Sequence, residues 1–180
     1  MPALTRAMLV VSDLHGLPSM TGLIGVTAAV LAWRRNWSWL MVLVLSVPGG
    51  ILVNVLMKLA FHRARPVSDQ PLLVLTSYSF PSGHVAGATL FYGLLAAMYA
   101  SGHGDWSRKV MAVSSAAAVV TLVALSRMGL GVHFLSDVLA AFAEGVAWLT
   151  RASLAFARIG NFGRATCAAG KLPATMGDPE

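Results

Sequence analysis

The sequence predicts an all-α protein built as a polytopic transmembrane bundle of about five spanning helices. Composition is the first observation behind this prediction: 57% of the 180 residues are hydrophobic, only 11% are charged and the mean hydropathy is +0.71. Soluble domains carry roughly 25% charged residues. The second observation is that the apolar residues fall into separate runs of spanning length, roughly 17 to 25 residues each.

The five predicted spans follow one another along the chain. They are Leu17–Trp33, Ser38–Ala60, Ser82–Ala100, Val110–Ser126 and Phe134–Thr150. Residues 61–81, between the second and third spans, form the longest link and contain several prolines, so we expect functional groups to concentrate there. We assign residues 1–160 to one membrane-embedded domain and predict that the polar residues 161–180 form a disordered cytoplasmic tail.

Turn and breaker residues delimit these spans. Arg34-Arg35-Asn36 forms a tight turn after the first span, and Pro48-Gly49-Gly50 is expected to kink the second. Pro81 precedes the third span, and the short polar segment Ser101–Lys109 separates the third from the fourth. Small residues such as Ala116–Ala118 favour close helix packing in the fourth span.

Positive charges predict the orientation of the bundle. Arg34-Arg35 and Arg108-Lys109 lie in loops on one face, and Arg151 follows the last span, which an odd number of crossings returns to that face. Because cytoplasmic loops are enriched in Lys and Arg, this face is predicted to be cytoplasmic. Residues 61–81 and 128–133 then lie on the extracytoplasmic face.

The charge and cysteine content exclude several classes. The net charge of +6 does not indicate nucleic-acid binding, because the basic residues flank apolar segments and do not form a patch interleaved with aromatic residues. Cys167 is the only cysteine, so a disulfide within the chain and a thiolate metal cluster are both excluded. We also find no acidic cluster suited to magnesium.

Two clusters beside the spans can bind an anion. Lys58 and Arg65 are seven residues apart, about two turns if the helix continues, so two cations can converge on one anion. Ser82 and Gly83 begin a helix after a proline. A hydroxyl and free backbone N–H groups there can bind an oxyanion, and the glycine has no side chain to block its approach.

A third cluster adds proton-transfer groups. His133 and Asp137 are four residues apart on one helical face, so the carboxylate can hold one ring nitrogen and leave the other free to attack. Arg127 offers a planar fork for phosphate oxygens. The alternating spans bring all three clusters to the extracytoplasmic face. Charged groups in so apolar a chain carry a large desolvation cost, which indicates a membrane-embedded site for phosphoryl transfer.

The three clusters read Lys-x6-Arg-Pro, Pro-Ser-Gly-His and Ser-Arg-x5-His-x3-Asp, and in this order they resemble the motifs of the type-2 phosphatidic acid phosphatase and vanadium haloperoxidase superfamily. The resemblance runs from about Trp37 to Trp148. It implies that His133 is a nucleophile forming a phosphohistidine, that Asp137 orients it, and that His84 protonates the leaving oxygen and later activates water. The residues implied to hold the phosphoryl oxygens are Lys58, Arg65, Ser82, Gly83 and Arg127. No metal or other cofactor is implied.

The sequence therefore predicts a metal-independent hydrolase, a multi-pass protein of the cell membrane that removes phosphate from a lipid substrate in the bilayer. Polyprenyl diphosphate ranks first, ahead of phosphatidic acid and phosphatidylglycerol phosphate; all are feasible because the motifs read only the phosphoryl group. One alternative is a vanadate-dependent haloperoxidase, against which five spans count because such enzymes are soluble. Another is a non-catalytic lipid-binding or scaffold protein, which would not need both histidines. The oligomeric state is left open.

Other polar residues receive structural interpretations. His62 and Arg63 lie at variable positions of the first motif and are interpreted as interfacial side chains. Asp13 and His15 are assigned to an ordinary loop, and Glu144 is expected to be a structural partner more than a proton relay.

The number of helices departs from the resemblance. Membrane members commonly have six helices, and here only Met1–Leu14 precedes the first predicted span. Two interpretations stay open: a short natural variant, or a start placed too late.

Overall fold

The computed structural model describes the backbone of residues 3–67, 75–102 and 104–169, and the side chains as far as residue 156. In these residues the chain forms α-helices and no strand, which confirms the all-α prediction. The helices are α1 (Ala3–Leu14), α2 (Leu17–Trp33), α3 (Trp37–Phe61), α4 (Gly83–Ser101), α5 (Trp106–Gly129) and α6 (Leu135–Ala169).

Four helices are each long and apolar enough to cross a membrane: α3, α4, α5 and the Leu135–Phe156 part of α6. The helices α1 and α2 pass the same test together, as a pair bent by 49°. Four or five crossings agree with the predicted bundle, and the chain is a multi-pass membrane protein.

The helix α1 is the main departure from the predicted fold. Asp13 lies in its last turn, so its assignment to a loop is wrong, whereas His15 lies in the short bend between α1 and α2. A search for runs of spanning length misses α1 because it has only 12 residues. Gly16 and Pro18 separate it from α2, since a proline in the first turn begins a helix more readily than it continues one.

The core surrounds α4, which packs against α3, α5 and α6. Near the start of α4, small side chains such as Ala86, Ala88 and Ala141 are fully buried between α4, α5 and α6. Further along α4, Leu90 and Phe91 pack into a second cluster with α2 and α3. The first turns of α4 are thereby fixed on all sides, which gives the residues at its start a rigid support.

Glycines allow α3 to approach its neighbours closely. A methyl group on Gly49 would lie 2.7 Å from the Trp148 ring, and one on Gly50 would lie 2.6 Å from Leu90. Pro48 lies inside the continuous helix α3. The kink expected at this segment stays a prediction, whereas its role in close packing is evident.

The backbone of α6 continues to Ala169 and so enters the segment 161–180 that is predicted to be a disordered tail. Residues 170–180 lie outside the described part of the chain, and for them the tail stays a prediction.

Four helix ends meet at one end of the bundle, which we call the motif end: the end of α3, the start of α4, the end of α5 and the start of α6. The backbone N–H of Ser82 donates to the Asp137 carbonyl at 3.1 Å, which joins α4 to α6. The N–H of Val132 donates to the Arg127 carbonyl at 3.3 Å in the turn between α5 and α6. The predicted convergence of the three clusters is therefore present.

Candidate active site

Lys58 lies in the last turn of α3 and reaches over the start of α4. Its Nζ donates to the carbonyl oxygens of Tyr78, at 3.0 Å, and Pro81, at 2.5 Å. The helix ends because His62 adopts a left-handed conformation, with φ of 46°. These contacts hold an ammonium group beside the first residues of α4.

Arg65 lies beyond the end of α3, so the helix does not continue over the seven residues from Lys58 to Arg65. The chain turns at His62, and Arg65 is held instead by the carbonyls of Ser77, 2.8 Å from Nε, and Val132, 2.9 Å from Nη1. Burial lowers the pKa of Arg65, while the charge of Asp137 opposes this effect. The guanidinium keeps its charge because its ordinary pKa lies far above neutrality.

The start of α4 offers a hydroxyl and free backbone donors. Ser82 is the N-cap residue and is fully buried, but its Oγ makes no capping bond and has no partner among the described residues. A methyl group on Gly83 would point into the space beside Lys58, 3.9 Å from its Cε. The lack of a side chain at Gly83 keeps that space open to an anion bound at the helix start.

Arg127 is buried in the last turn of α5, with 2% of its surface exposed. Its Nη1 donates to the hydroxyl of Ser12 on α1. Its Nε has no partner among the described residues. A buried N–H group without a partner costs about 1–3 kcal/mol, and more when it is charged, so this atom points to an anionic ligand.

His133 stands between a carboxylate and a guanidinium. Its Nδ1 is 3.4 Å from Asp137 Oδ2, and its Nε2 is 3.3 Å from Arg65 Nη1. Because arginine only donates, Nε2 is assigned as the unprotonated nitrogen and Nδ1 as the one carrying the proton. Burial lowers the pKa of His133, and the charges of Arg65, Arg127 and Lys58 add to this effect. The imidazole is therefore neutral and nucleophilic at Nε2.

His84 lies in the first turn of α4 and is half-buried. It is within electrostatic range of Lys58, Arg65 and Arg127, which places it at the same site. No hydrogen bond to its ring is found in the described part of the chain. Its ring nitrogens are thus available to a substrate or to water.

Asp137 is completely buried and accepts several hydrogen bonds that sequence reasoning missed. Its Oδ1 accepts from Arg63 Nη1 at 2.9 Å, and its Oδ2 accepts from Ser79 Oγ and from the Phe134 N–H at 3.0 Å. Arg63, whose side chain is 38% exposed, therefore has a contact inside the site that its interfacial interpretation does not include. Neither Ser79 nor Arg63 belongs to a helical pattern that pairs it with Asp137, and only the tertiary fold brings them together.

Glu144 lies two turns beyond Asp137 and accepts a hydrogen bond from Asn54 Nδ2, at 2.9 Å from its Oε2. This contact favours the structural interpretation of Glu144. The other side of the Asn54 amide faces the start of α4, where its Oδ1 lies 3.6 Å from a methyl group placed on Gly83.

The described residues include no group of three His, Cys, Asp or Glu side chains that could hold a metal ion. The Asp137 oxygens already accept hydrogen bonds from protein donors. The cationic groups of the site suit an anion more than a cation.

Residues 36–160 match the model of the PAP2 superfamily. The chain is 34% identical over 122 residues to phosphatidylglycerophosphatase B of Bacillus subtilis (strain 168), in an alignment that covers 67% of this chain and 59% of that relative. The chain thus spans about three-fifths of the length of this curated relative.

Two solved structures resemble the bundle. The crystal structure of a transmembrane PAP2-type phosphatidylglycerolphosphate phosphatase from Bacillus subtilis matches with a TM-score of 0.78 and 30% identity, over 88% of this chain and 79% of that one. The crystal structure of Aquifex aeolicus LpxE matches with a TM-score of 0.64 and 22% identity, over 84% of this chain and 86% of that one. The second likeness concerns the fold alone.

Proposed function

Because the chain belongs to the PAP2 superfamily, we propose that it hydrolyses the phosphate group of a membrane lipid through a phosphohistidine at His133. The observation that carries the proposal is the setting of that ring. Nδ1 is directed to Asp137, and the lone pair of Nε2 faces the cationic side of the site at Arg65. This arrangement leaves a neutral nucleophile next to groups that can hold a phosphoryl group.

The phosphoryl oxygens are held by Lys58, Arg65, Arg127, the Ser82 hydroxyl and the N–H groups at Gly83. Two buried donors support this assignment, because Ser82 Oγ and Arg127 Nε have no partner among the described residues. A phosphoryl group offers several acceptor oxygens, and it would satisfy both donors while neutralising the clustered positive charge.

The reaction has two steps. Nε2 of His133 attacks phosphorus, the bond to the leaving oxygen breaks, and His84 gives that oxygen its proton. Asp137 stabilises the positive charge that develops on the imidazole. Water, deprotonated by His84, then attacks the phosphohistidine, and the phosphorus–nitrogen bond breaks to release phosphate and neutral His133.

The proposed substrate is phosphatidylglycerol phosphate. The residues of the site contact only the phosphoryl group and do not distinguish among lipid phosphates. The relatives whose sequences are at least 30% identical, however, are named for this lipid. They favour it over polyprenyl diphosphate, which the sequence analysis ranks first. We place the site at the extracytoplasmic surface, where the phosphate can enter from the interface while the hydrocarbon chains stay in the bilayer.

The test is phosphate release by purified protein from phosphatidylglycerol phosphate, phosphatidic acid and polyprenyl diphosphate, with EDTA present throughout. We expect turnover of phosphatidylglycerol phosphate to be highest. His84→Ala should lower it by about 10²–10⁴-fold, the usual contribution of general acid–base catalysis. His133→Ala should lower it further because the covalent path disappears.

Two controls accompany this assay. Arg34→Gln, an exposed change in the loop between α2 and α3, should leave turnover unchanged. Bromide oxidation with vanadate and peroxide tests the haloperoxidase alternative and should be absent. Wild-type turnover by His133→Ala, or no release from any lipid phosphate, would contradict the proposed function.

A further inference from the structure

Arg63 is not one of the residues that define the three sequence motifs. It nevertheless contacts Asp137, the partner of His133. Its Nη1 is 2.9 Å from Asp137 Oδ1 and 2.6 Å from Ser136 Oγ. Its guanidinium carbon lies 4.4 Å from the centre of the Phe134 ring. Three contacts at and just before the start of α6 therefore fix the guanidinium in one position.

Ser79 completes this arrangement from the same link of the chain. Its backbone N–H donates to the Arg63 carbonyl at 2.9 Å, and its hydroxyl donates to Asp137 Oδ2. One residue thus binds each oxygen of the carboxylate, and the two residues are joined to each other. We call Arg63 and Ser79 the carboxylate bracket.

The bracket determines what Asp137 can do for His133. The carboxylate is completely buried, and a buried carboxylate without partners tends to take up a proton. A protonated or rotated Asp137 would no longer present an anionic oxygen to His133 Nδ1. The arginine contact supplies a compensating charge, and the two-sided hydrogen bonding prevents rotation about the Cβ–Cγ bond.

We propose, on the basis of the function proposed above, that Arg63 and Ser79 are positioning residues that keep Asp137 ionised and directed at His133. The role differs from that of Arg65, which contacts His133 itself and lies with the phosphate-binding groups. Arg63 should therefore affect the chemical step and leave substrate binding almost unchanged.

A double-mutant cycle in kcat and KM tests the proposal. Arg63→Gln should lower kcat by about 10- to 100-fold, the loss seen when a partner that orients a functional histidine or carboxylate is removed. KM should stay within about twofold, because binding energy common to ground and transition states is retained. Arg63→Lys, which keeps the charge, should recover part of kcat.

The decisive comparison uses Asp137→Asn. In that background Arg63→Gln should cost less than about twofold further, because its effect passes through the carboxylate. Ser79→Ala removes the other donor with a smaller change and should show the same pattern, so it replaces Arg63→Gln if that variant does not fold. Arg34→Gln is the matched control, an exposed arginine in another loop.

Several outcomes would overturn the proposal. A rise in KM with unchanged kcat would make Arg63 a substrate contact. Losses that multiply in the Asp137→Asn background would show that Arg63 acts independently of the carboxylate. Normal wild-type turnover with an unaffected Arg63→Gln would overturn this inference alone, whereas an inactive wild type would overturn the proposed function as well.

Discussion

Single residues show that the two histidines of the site are held in opposite ways. His133 is buried, and both of its ring nitrogens face defined partners. His84 lies at the rigid start of α4, and no hydrogen bond holds its ring within the described structure. A nucleophile benefits from a fixed attack direction. In the proposed reaction His84 first protonates the leaving oxygen and then takes a proton from water. A ring without a hydrogen bond can turn from one of these oxygens to the other.

The surroundings of His133 predict a pH dependence. Burial lowers its pKa, as do the charges of Arg65, Arg127 and Lys58, while Asp137 raises it. Protonation would block the proposed nucleophile, so a lowered pKa would keep His133 active at lower pH. We expect the acid limb of kcat/KM, which reports the free enzyme, to lie below the ordinary histidine value of about 6.5.

Arg65→Gln should move this acid limb to higher pH, because the variant removes one of the cations that disfavour the imidazolium. The measurement is kcat/KM for lipid phosphate hydrolysis between about pH 4 and 8, where histidine titrates. Arg34→Gln serves as the control and should leave the limb in place. An acid limb that stays unchanged or moves to lower pH in Arg65→Gln would contradict this account of His133.

Among the helices, α1 contributes directly to the site although it lies outside all three motifs. Ser12 on α1 binds Arg127 on α5, and both side chains are almost completely buried. His15, just after α1, has its Nε2 3.0 Å from the Tyr92 hydroxyl on α4. The helix α1 therefore supports Arg127, which we propose binds phosphate.

Ser12→Ala should weaken phosphate binding more than it slows chemistry. A hydrogen bond contributes about 0.5–1.5 kcal/mol, which corresponds to about a two- to tenfold change. We expect rises of this size in KM and in the inhibition constant for inorganic phosphate. Ser101→Ala, at the far end of α4, removes an exposed hydroxyl that bonds its own helix in the described structure, and it should change neither constant. Unchanged constants in Ser12→Ala would show that Arg127 needs no support from α1.

The packing of α6 against α4 depends on Gly145. A methyl group there would lie 2.7 Å from Thr89 Cγ2 and 2.9 Å from its Cβ, and a branched side chain in a buried helix cannot move aside easily. Gly145→Ala should destabilise the protein by about 1–3 kcal/mol, the usual cost of overpacking. Thermal unfolding in detergent measures this loss.

Gly25 in α2 provides the matched control, because no atom lies within 4 Å of a methyl group placed on it. Gly25→Ala should be neutral or stabilise by up to about 1 kcal/mol, since alanine has the higher helix propensity. Equal melting temperatures for the Gly145→Ala variant and the wild type would mean that α4 and α6 can separate without cost.

For the molecule as a whole, the sequence predicts what depends on chain order and local spacing. Because five successive apolar runs are predicted to cross the membrane in alternating directions, their order alone predicts that Lys58, His84 and His133 lie at one end of the bundle. The partners of Asp137 and Arg127 depend on tertiary contacts across long sequence separations: Arg63 is 74 residues from Asp137, and Ser12 is 115 residues from Arg127. No local periodicity encodes such pairs.

The contacts of α1 define the path of the first crossing. At the end of α5, Met8 lies against Gly129 and Ser12 contacts Arg127. Further along the chain, His15 contacts Tyr92. Tyr92 is nine residues from the start of α4, about 14 Å along the helix. α1 therefore enters the bundle from the motif end, and we predict that the bent pair α1–α2 acts as one crossing, the fifth among the described residues.

In the predicted arrangement of five crossings the motif end lies opposite the loops that carry Arg34-Arg35 and Arg108-Lys109, so the positive-inside rule predicts an extracytoplasmic site. Single cysteines at Val67, which is 98% exposed after α3, and at Gly104, before α5, test this in a Cys167→Ser background. With a membrane-impermeant thiol reagent on intact cells, Val67→Cys should be labelled and Gly104→Cys protected until the cells are opened. The reverse pattern would place the site on the cytoplasmic face, and labelling of both would contradict a crossing by α4, the helix described between Val67 and Gly104.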